Sequence, residues 1–187
     1  AAIVEAPERA DLRFARALGF YLVQDLASAL AALTQAVVKD EGFVPAYFNR
    51  AVVRCKQMEY QRAEETAERE AYETKAELPA KQRGRLNEYE LVRADLDKVI
   101  QLAPDFEYAY YNRAVLLCQQ NDYHAAIVDF NKAVEVNPRF GEAYFNRGLT
   151  HIFLGQINEG LADLSKAGEL GLFKAYNIIK RYTETEE

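Results

Sequence analysis

Residues 46–50 read AYFNR, residues 109–113 read AYYNR, and residues 143–147 read AYFNR again. The second and third copies begin 34 residues apart and the first and second 63 apart, which is 34 plus 29. A chain that writes one pentapeptide at a fixed period is built from repeated units, and such a period is the first thing to settle because it decides the fold. Residues 107–140 superpose on 141–174, with Tyr110 over Tyr144, Ala114 over Gly148, Ala126 over Gly160, Phe130 over Leu164 and Ala133 over Ala167. Residues 10–43 join this register through Ala17, Phe20, Ala29, Leu33 and Ala36.

Each unit divides in two. The short polar breaks QDL at 24–26, NDY at 121–123 and GQI at 155–157 separate apolar-periodic segments, the pattern of a helix-turn-helix hairpin. Antiparallel helices that cross closely tolerate nothing larger than Ala at the crossing, so Ala17, Ala51, Ala114 and Gly148 mark that contact. Leu33, Leu96, Phe130 and Leu164 fill the space beside it.

The extra 29 residues belong to the second unit. ELVRADLDKVIQLAP at 90–104 aligns with AAIVDFNKAVEVNP at 125–138 through Asp95 and Asp129, Lys98 and Lys132, and Pro104 and Pro138. It is therefore a second helix, and AYFNRAVVRC at 46–55 is its first. Residues 58–77 hold no Gly or Pro, and the first helix is expected to run on past its usual end, supported by pairs such as Glu65 with Arg69. Pro79 and Gly84 are expected to break it, with the chain returning from about Arg85. The insertion, about 58–88, would form a charged helical protrusion.

The 34-residue period, the small and aromatic columns and the prolines at 104 and 138 resemble the tetratricopeptide repeat (TPR) family over nearly the whole chain. Two columns depart: Arg13 stands where Tyr110 does, and Glu41 and Leu172 stand in the proline column. The resemblance implies an all-α fold, a right-handed superhelix (α-α solenoid) of four helical hairpins in a single domain over 1–187. Its repeats would be 10–43, 44–106, 107–140 and 141–174, with a capping helix at 173–183.

The same resemblance implies that the first helices line a concave groove for a protein or peptide partner. Carried over by column, its wall would hold Phe14 and Leu18, then Phe48, Asn49 and Val52, then Tyr111, Asn112 and Val115, then Phe145, Asn146 and Leu149. An Asn amide carries donor and acceptor groups and can pair with a peptide backbone whatever its side chains. Flanking aromatics add contact area at low entropic cost. The competing reading has the amides bonded locally and the rings packed between helices. One TPR subclass grips a C-terminal carboxylate, but the columns where that clamp places its Lys and Asn hold Phe48, Tyr111 and Phe145 and Leu18, Val52 and Val115 here, so the clamp is absent.

Arg50, Arg113 and Arg147 each have an acid, Asp95, Asp129 and Asp163, in the second helix of the same unit, which predicts three equivalent structural ion pairs. Cys55 and Cys118 share a column on successive first helices, about 8–10 Å apart, too far for a disulfide, and both are expected to be free thiols. His124 and His151 show no metal-ligand spacing, and neither a phosphate-binding glycine loop nor a nucleophile elbow occurs, so no metal, no cofactor and no enzyme activity are expected.

Composition agrees with this class. Half the residues are hydrophobic and 28% are charged, as in a folded chain. A net charge of -6 disfavours nucleic acid as a partner. No apolar stretch reaches the roughly 20 residues of a membrane span, and no signal peptide is visible. The chain begins AAIVEAPERA without an initiator Met, as a fragment or mature product does, and the compartment is left open. Besides peptide binding, two other functions fit the pattern: assembly or self-association through the protrusion, and service as the regulatory part of a longer protein.

Overall fold

The computed structural model describes residues 9–71 and 78–183, with side chains at all of these except 65, 67–71 and 78–86. Among the described residues the chain is helical, without strands. In order the helices are α1 (Ala10–Leu22), α2 (Leu26–Lys39), α3 (Val44–Ala71), α4 (Leu78–Leu102), α5 (Glu107–Gln119), α6 (Tyr123–Val136), α7 (Gly141–Phe153), α8 (Ile157–Glu169) and α9 (Lys174–Thr183). Two compact units result, residues 1–103 and 104–187. In the first, α1 pairs with α2, α2 packs on α3, and α3 pairs with α4. In the second, α5 through α8 continue the same alternation and α9 closes against α8.

Each turn within a hairpin is fixed by one left-handed residue. Gln24 (φ 62°), Asn121 (φ 63°) and Gly155 (φ 78°) stop α1, α5 and α7 at the same place in the repeat. Beyond it, Asp25 and Asp122 cap α2 and α6 by accepting the backbone N–H of Ser28 and Ala125, at 3.0 and 3.2 Å. In the second hairpin that place, 34 residues after Gln24 and 63 before Asn121, is held by Met58. Met58 is helical and buried, and α3 continues through it. An unbranched apolar residue carries a heavy penalty in the left-handed region but a good helix propensity. The insertion thus begins where the turn residue is missing.

The return leg differs from the sequence expectation. Pro79 and Gly84 do not break the chain, and the return does not start at Arg85, because α4 already begins at Leu78 and contains both. Proline is compatible with the first turn of a helix, where its missing N–H has no partner anyway. An internal glycine costs only about 1 kcal/mol, which a 25-residue helix paired to α3 offsets. The proposed Glu65–Arg69 pair lies outside the described side chains.

The crossings are tight where the small column falls. Ala17, Ala51 and Ala114 are fully buried, as are Leu33, Leu96, Phe130 and Leu164 beside them. At the α7–α8 crossing both helices use glycine: a Cβ on Gly148 would lie 2.8 Å from the Gly160 carbonyl oxygen, and one on Gly160 would lie 2.5 Å from Ile152 Cγ1.

Candidate functional site

The arginines of the repeated pentapeptides bind the hairpins shut. Arg113 meets Asp129 through Nε and Nη2 at 2.6 and 2.7 Å, and Arg147 meets Asp163 at 2.7 and 2.6 Å. These are two-pronged contacts with largely buried carboxylates. Arg50 Nη2 lies 2.6 Å from Asp95, and there a second cation joins: Arg54 donates from Nη1 to Asp95 and to the Leu91 carbonyl. Arg54 stands in the column that holds Phe20, Leu117 and His151 elsewhere, so the hairpin with the long arm carries one more charge in its crossing. Burial pushes the Arg54 guanidinium below the ordinary arginine value, and Asp95 opposes that shift.

The aromatic column expected on the groove wall turns toward the next hairpin instead. Phe14 packs edge-on against Phe43 at 5.5 Å in the first unit, and Tyr111 packs on Phe140 at 4.9 Å and Phe130 at 6.0 Å in the second. Phe145, read from sequence as a ligand contact, is buried under α9 with Lys174 Nζ 4.3 Å above its ring. The column's rings are large and apolar, and the hydrophobic face of the following hairpin offers them more contact than solvent does. Phe48, Asn49 and Val52 are half-buried on α3, while Leu18 is exposed on α1.

The three amides are also oriented by the fold. Asn49 Nδ2 donates to Pro45 O at 2.8 Å and Asn112 Nδ2 to Tyr108 O at 2.7 Å, one helical turn back in each case. A carbonyl only accepts, so the nitrogen must face it and the amide orientation follows. Asn146 Nδ2 instead reaches the Tyr111 hydroxyl at 2.8 Å, joining α7 to α5. Burial raises the Tyr111 phenol above its usual range, Glu142 adds to this, and the Asn146 bond opposes it.

Below this bond the second unit opens a cleft of about 350 Å³. Its lining includes Val115, Asn146 and Leu149 from the expected set, together with Cys118, Gln119, Tyr123, Phe130, Thr150 and Phe153. Cys118 and Gln119 continue the Tyr111–Val115 stripe of α5 by one more turn, and Phe153 continues that of α7, so helical spacing was the signal that could have found them. Phe153 is 68% exposed and stacks on Tyr123 at 4.4 Å at the mouth of the cleft. Thr150 Oγ1 donates to Asn146 O at 2.7 Å, which leaves its oxygen to accept from Cys118 Sγ, 3.5 Å away. Burial raises the Cys118 thiol and the Thr150 bond opposes that.

Both cysteines are free thiols. Cys55 on α3 is pushed up to about 11, chiefly by burial. His151 Nδ1 lies 2.6 Å from Gln156 Oε1 at the α7–α8 turn, and His124 is exposed. Among the described residues no group of three His, Cys, Asp or Glu side chains could hold a metal, and no helix is long and apolar enough to cross a membrane.

Comparison with known proteins agrees with this architecture. Residues 107–140 and 141–170 each match a family model described as tetratricopeptide repeat. Residues 107–170 are thus tetratricopeptide repeats, a class of protein-interaction module. Among solved structures, MamA is similar with a TM-score of 0.69 and 18% identity over 94% of this chain and 85% of its own. TTC0263, a thermophilic TPR protein in Thermus thermophilus, is similar with a TM-score of 0.67 and 16% identity over 98% and 84%. At these identities the likeness is one of fold. No curated protein matches the sequence.

Proposed function

We propose that the chain is a non-catalytic protein-binding domain whose first helices hold an extended segment of a partner protein. The observation that carries this reading is the cleft between α5 and α7, of about 350 Å³, walled mostly by apolar side chains with a few oriented polar groups. That is the composition of a recognition cleft, in which apolar walls supply affinity and sparse hydrogen-bonding groups fix orientation. Exposed Phe153 and half-buried Val115 and Leu149 would take the segment's side chains, and Asn112 and Asn146 its backbone. Leu18, Asn49 and Val52 are the corresponding contacts on the first unit. The aromatic column is better read as support than as contact, since its rings in α1, α5 and α7 are already packed.

The test compares proteins retained from a lysate by the wild-type chain and by a Val115→Ser, Phe153→Ser chain with an unchanged helical signal. A partner retained by the first and lost by the second is expected. Equal retention by both overturns the cleft as the binding site.

A further inference from the structure

The polar side chains that line the α5–α7 cleft have spent most of their hydrogens within the fold. The Tyr123 hydroxyl donates to Asn121 Oδ1 at 2.9 Å. Thr150 Oγ1 donates to Asn146 O at 2.7 Å, so the Cys118 thiol, 3.5 Å away, is the donor toward Thr150. Asn146 Nδ2 gives one hydrogen to the Tyr111 hydroxyl at 2.8 Å. What Tyr123, Thr150, Cys118 and Asn146 still offer the cleft is chiefly acceptor capacity. Asn146 Oδ1 stands out, because it has no partner among the described residues. Gln119, the remaining polar residue of the lining, is exposed.

The rest of the lining is apolar, with Val115, Phe130 and Leu149 joined by Phe153, whose ring stacks on Tyr123 at 4.4 Å. A volume of about 350 Å³ is at the small end for ligand sites and suits one large side chain rather than a folded surface. An aliphatic or Phe anchor would fill it but would take Asn146 Oδ1 out of water without supplying a donor, and an unmatched acceptor costs its desolvation. A Tyr anchor brings a donor together with an acceptor oxygen, for which the lining keeps few hydrogens. An indole has a wide π face, one N–H and no acceptor, which is the complement of this lining.

Resting on the peptide-binding reading above, we infer that the cleft takes a tryptophan anchor: the bound segment inserts one indole, which packs on Tyr123 and Phe153 and donates its N–H to Asn146 Oδ1. The second lone pair of that oxygen remains for a backbone N–H of the same segment. Asn146 is then the residue that sets specificity, and Tyr111 holds its amide in place.

The test uses a phage-displayed library of random peptides selected on the full chain, with the Val115→Ser, Phe153→Ser chain as counter-target. Survivors are remade as acetylated, amidated peptides and their affinities measured by fluorescence anisotropy. The chain contains no Trp, so indole emission reports the peptide alone. The expected survivors share one Trp, whose emission moves to the blue on binding. Replacing it by benzothienylalanine, which keeps the fused rings and puts sulfur in place of N–H, is expected to weaken binding about five- to tenfold, the ordinary effect of one hydrogen bond. On an Asn146→Leu chain the two peptides are expected to bind alike, whereas a merely structural Asn146 would weaken both and keep the gap. Survivors that depend on the cleft but carry no Trp, that lose nothing when sulfur replaces the N–H, or whose gap persists in Asn146→Leu overturn the indole pairing and leave the peptide cleft standing. An empty selection, or survivors that bind wild type and counter-target alike, overturns both.

Discussion

Asn146 donates to the Tyr111 hydroxyl at 2.8 Å, a bond between side chains of two neighbouring first helices at the edge of the candidate cleft. Sequence reasoning treated the two residues as parallel ligand contacts, but they hold each other. Asn146→Ala is therefore expected to cost about 1 kcal/mol of stability, the ordinary net worth of one hydrogen bond. It should also raise the Tyr111 phenol further, because this bond is the influence holding it down. An NMR titration of Tyr111 checks the direction.

The glycines of the α7–α8 crossing are expected to behave opposite to Gly19. Gly148→Ala would place a methyl 2.8 Å from the Gly160 carbonyl oxygen, against backbone that cannot yield. Overpacking of this kind costs roughly 1–3 kcal/mol. Gly19 has nothing within 4 Å of a new Cβ and sits within α1, so Gly19→Ala should stabilise by about 1 kcal/mol through helix propensity. Thermal melts of the two variants should move in opposite directions.

Asp95 accepts from two arginines and is 2% exposed, whereas Asp129 accepts from Arg113. Removing a buried partner leaves its cations uncompensated, at a cost of roughly 3–5 kcal/mol. Asp95→Ala should lie at the upper end of that range and exceed Asp129→Ala in urea unfolding. Adding Arg54→Leu, the residue of the equivalent place in α5, should recover part of the loss.

Cys55 supplies a pH dependence with a definite sign. Its thiol titrates near the ordinary 9.0 when unfolded and at about 11 when folded, mainly through burial. The folded state therefore holds its proton longer, and the associated stability is complete below about 9 and lost as pH rises toward 11. At pH 8 a thiol reagent should label Cys55 slowly in the native chain and at once in denaturant. Cys55→Ala should flatten the alkaline fall in stability.

The hairpins were legible because packing at a crossing leaves a periodic mark. Only small residues fit at Ala17, Ala51, Ala114 and Gly148, and the partners Leu33, Leu96, Phe130 and Leu164 repeat with them. The Arg and Asp columns repeat for the same reason. The start of α4 was not legible, because Pro79 and Gly84 read as breakers unless the helix is known to begin just before them. The direction of the aromatic column was hidden as well: a ring packed on the next hairpin and a ring facing a ligand obey one period. Phe153 and Cys118 were missed by ending the groove stripe one turn early.

Lys174 takes the place that Phe43, Phe106 and Phe140 hold before the other first helices, and it covers Phe145 with a hydrated charge where those positions offer a ring. The last hairpin is thereby finished with a side chain that water wets readily. Writing Phe there would replace that wetted charge with the ring that the other hairpins carry at this place.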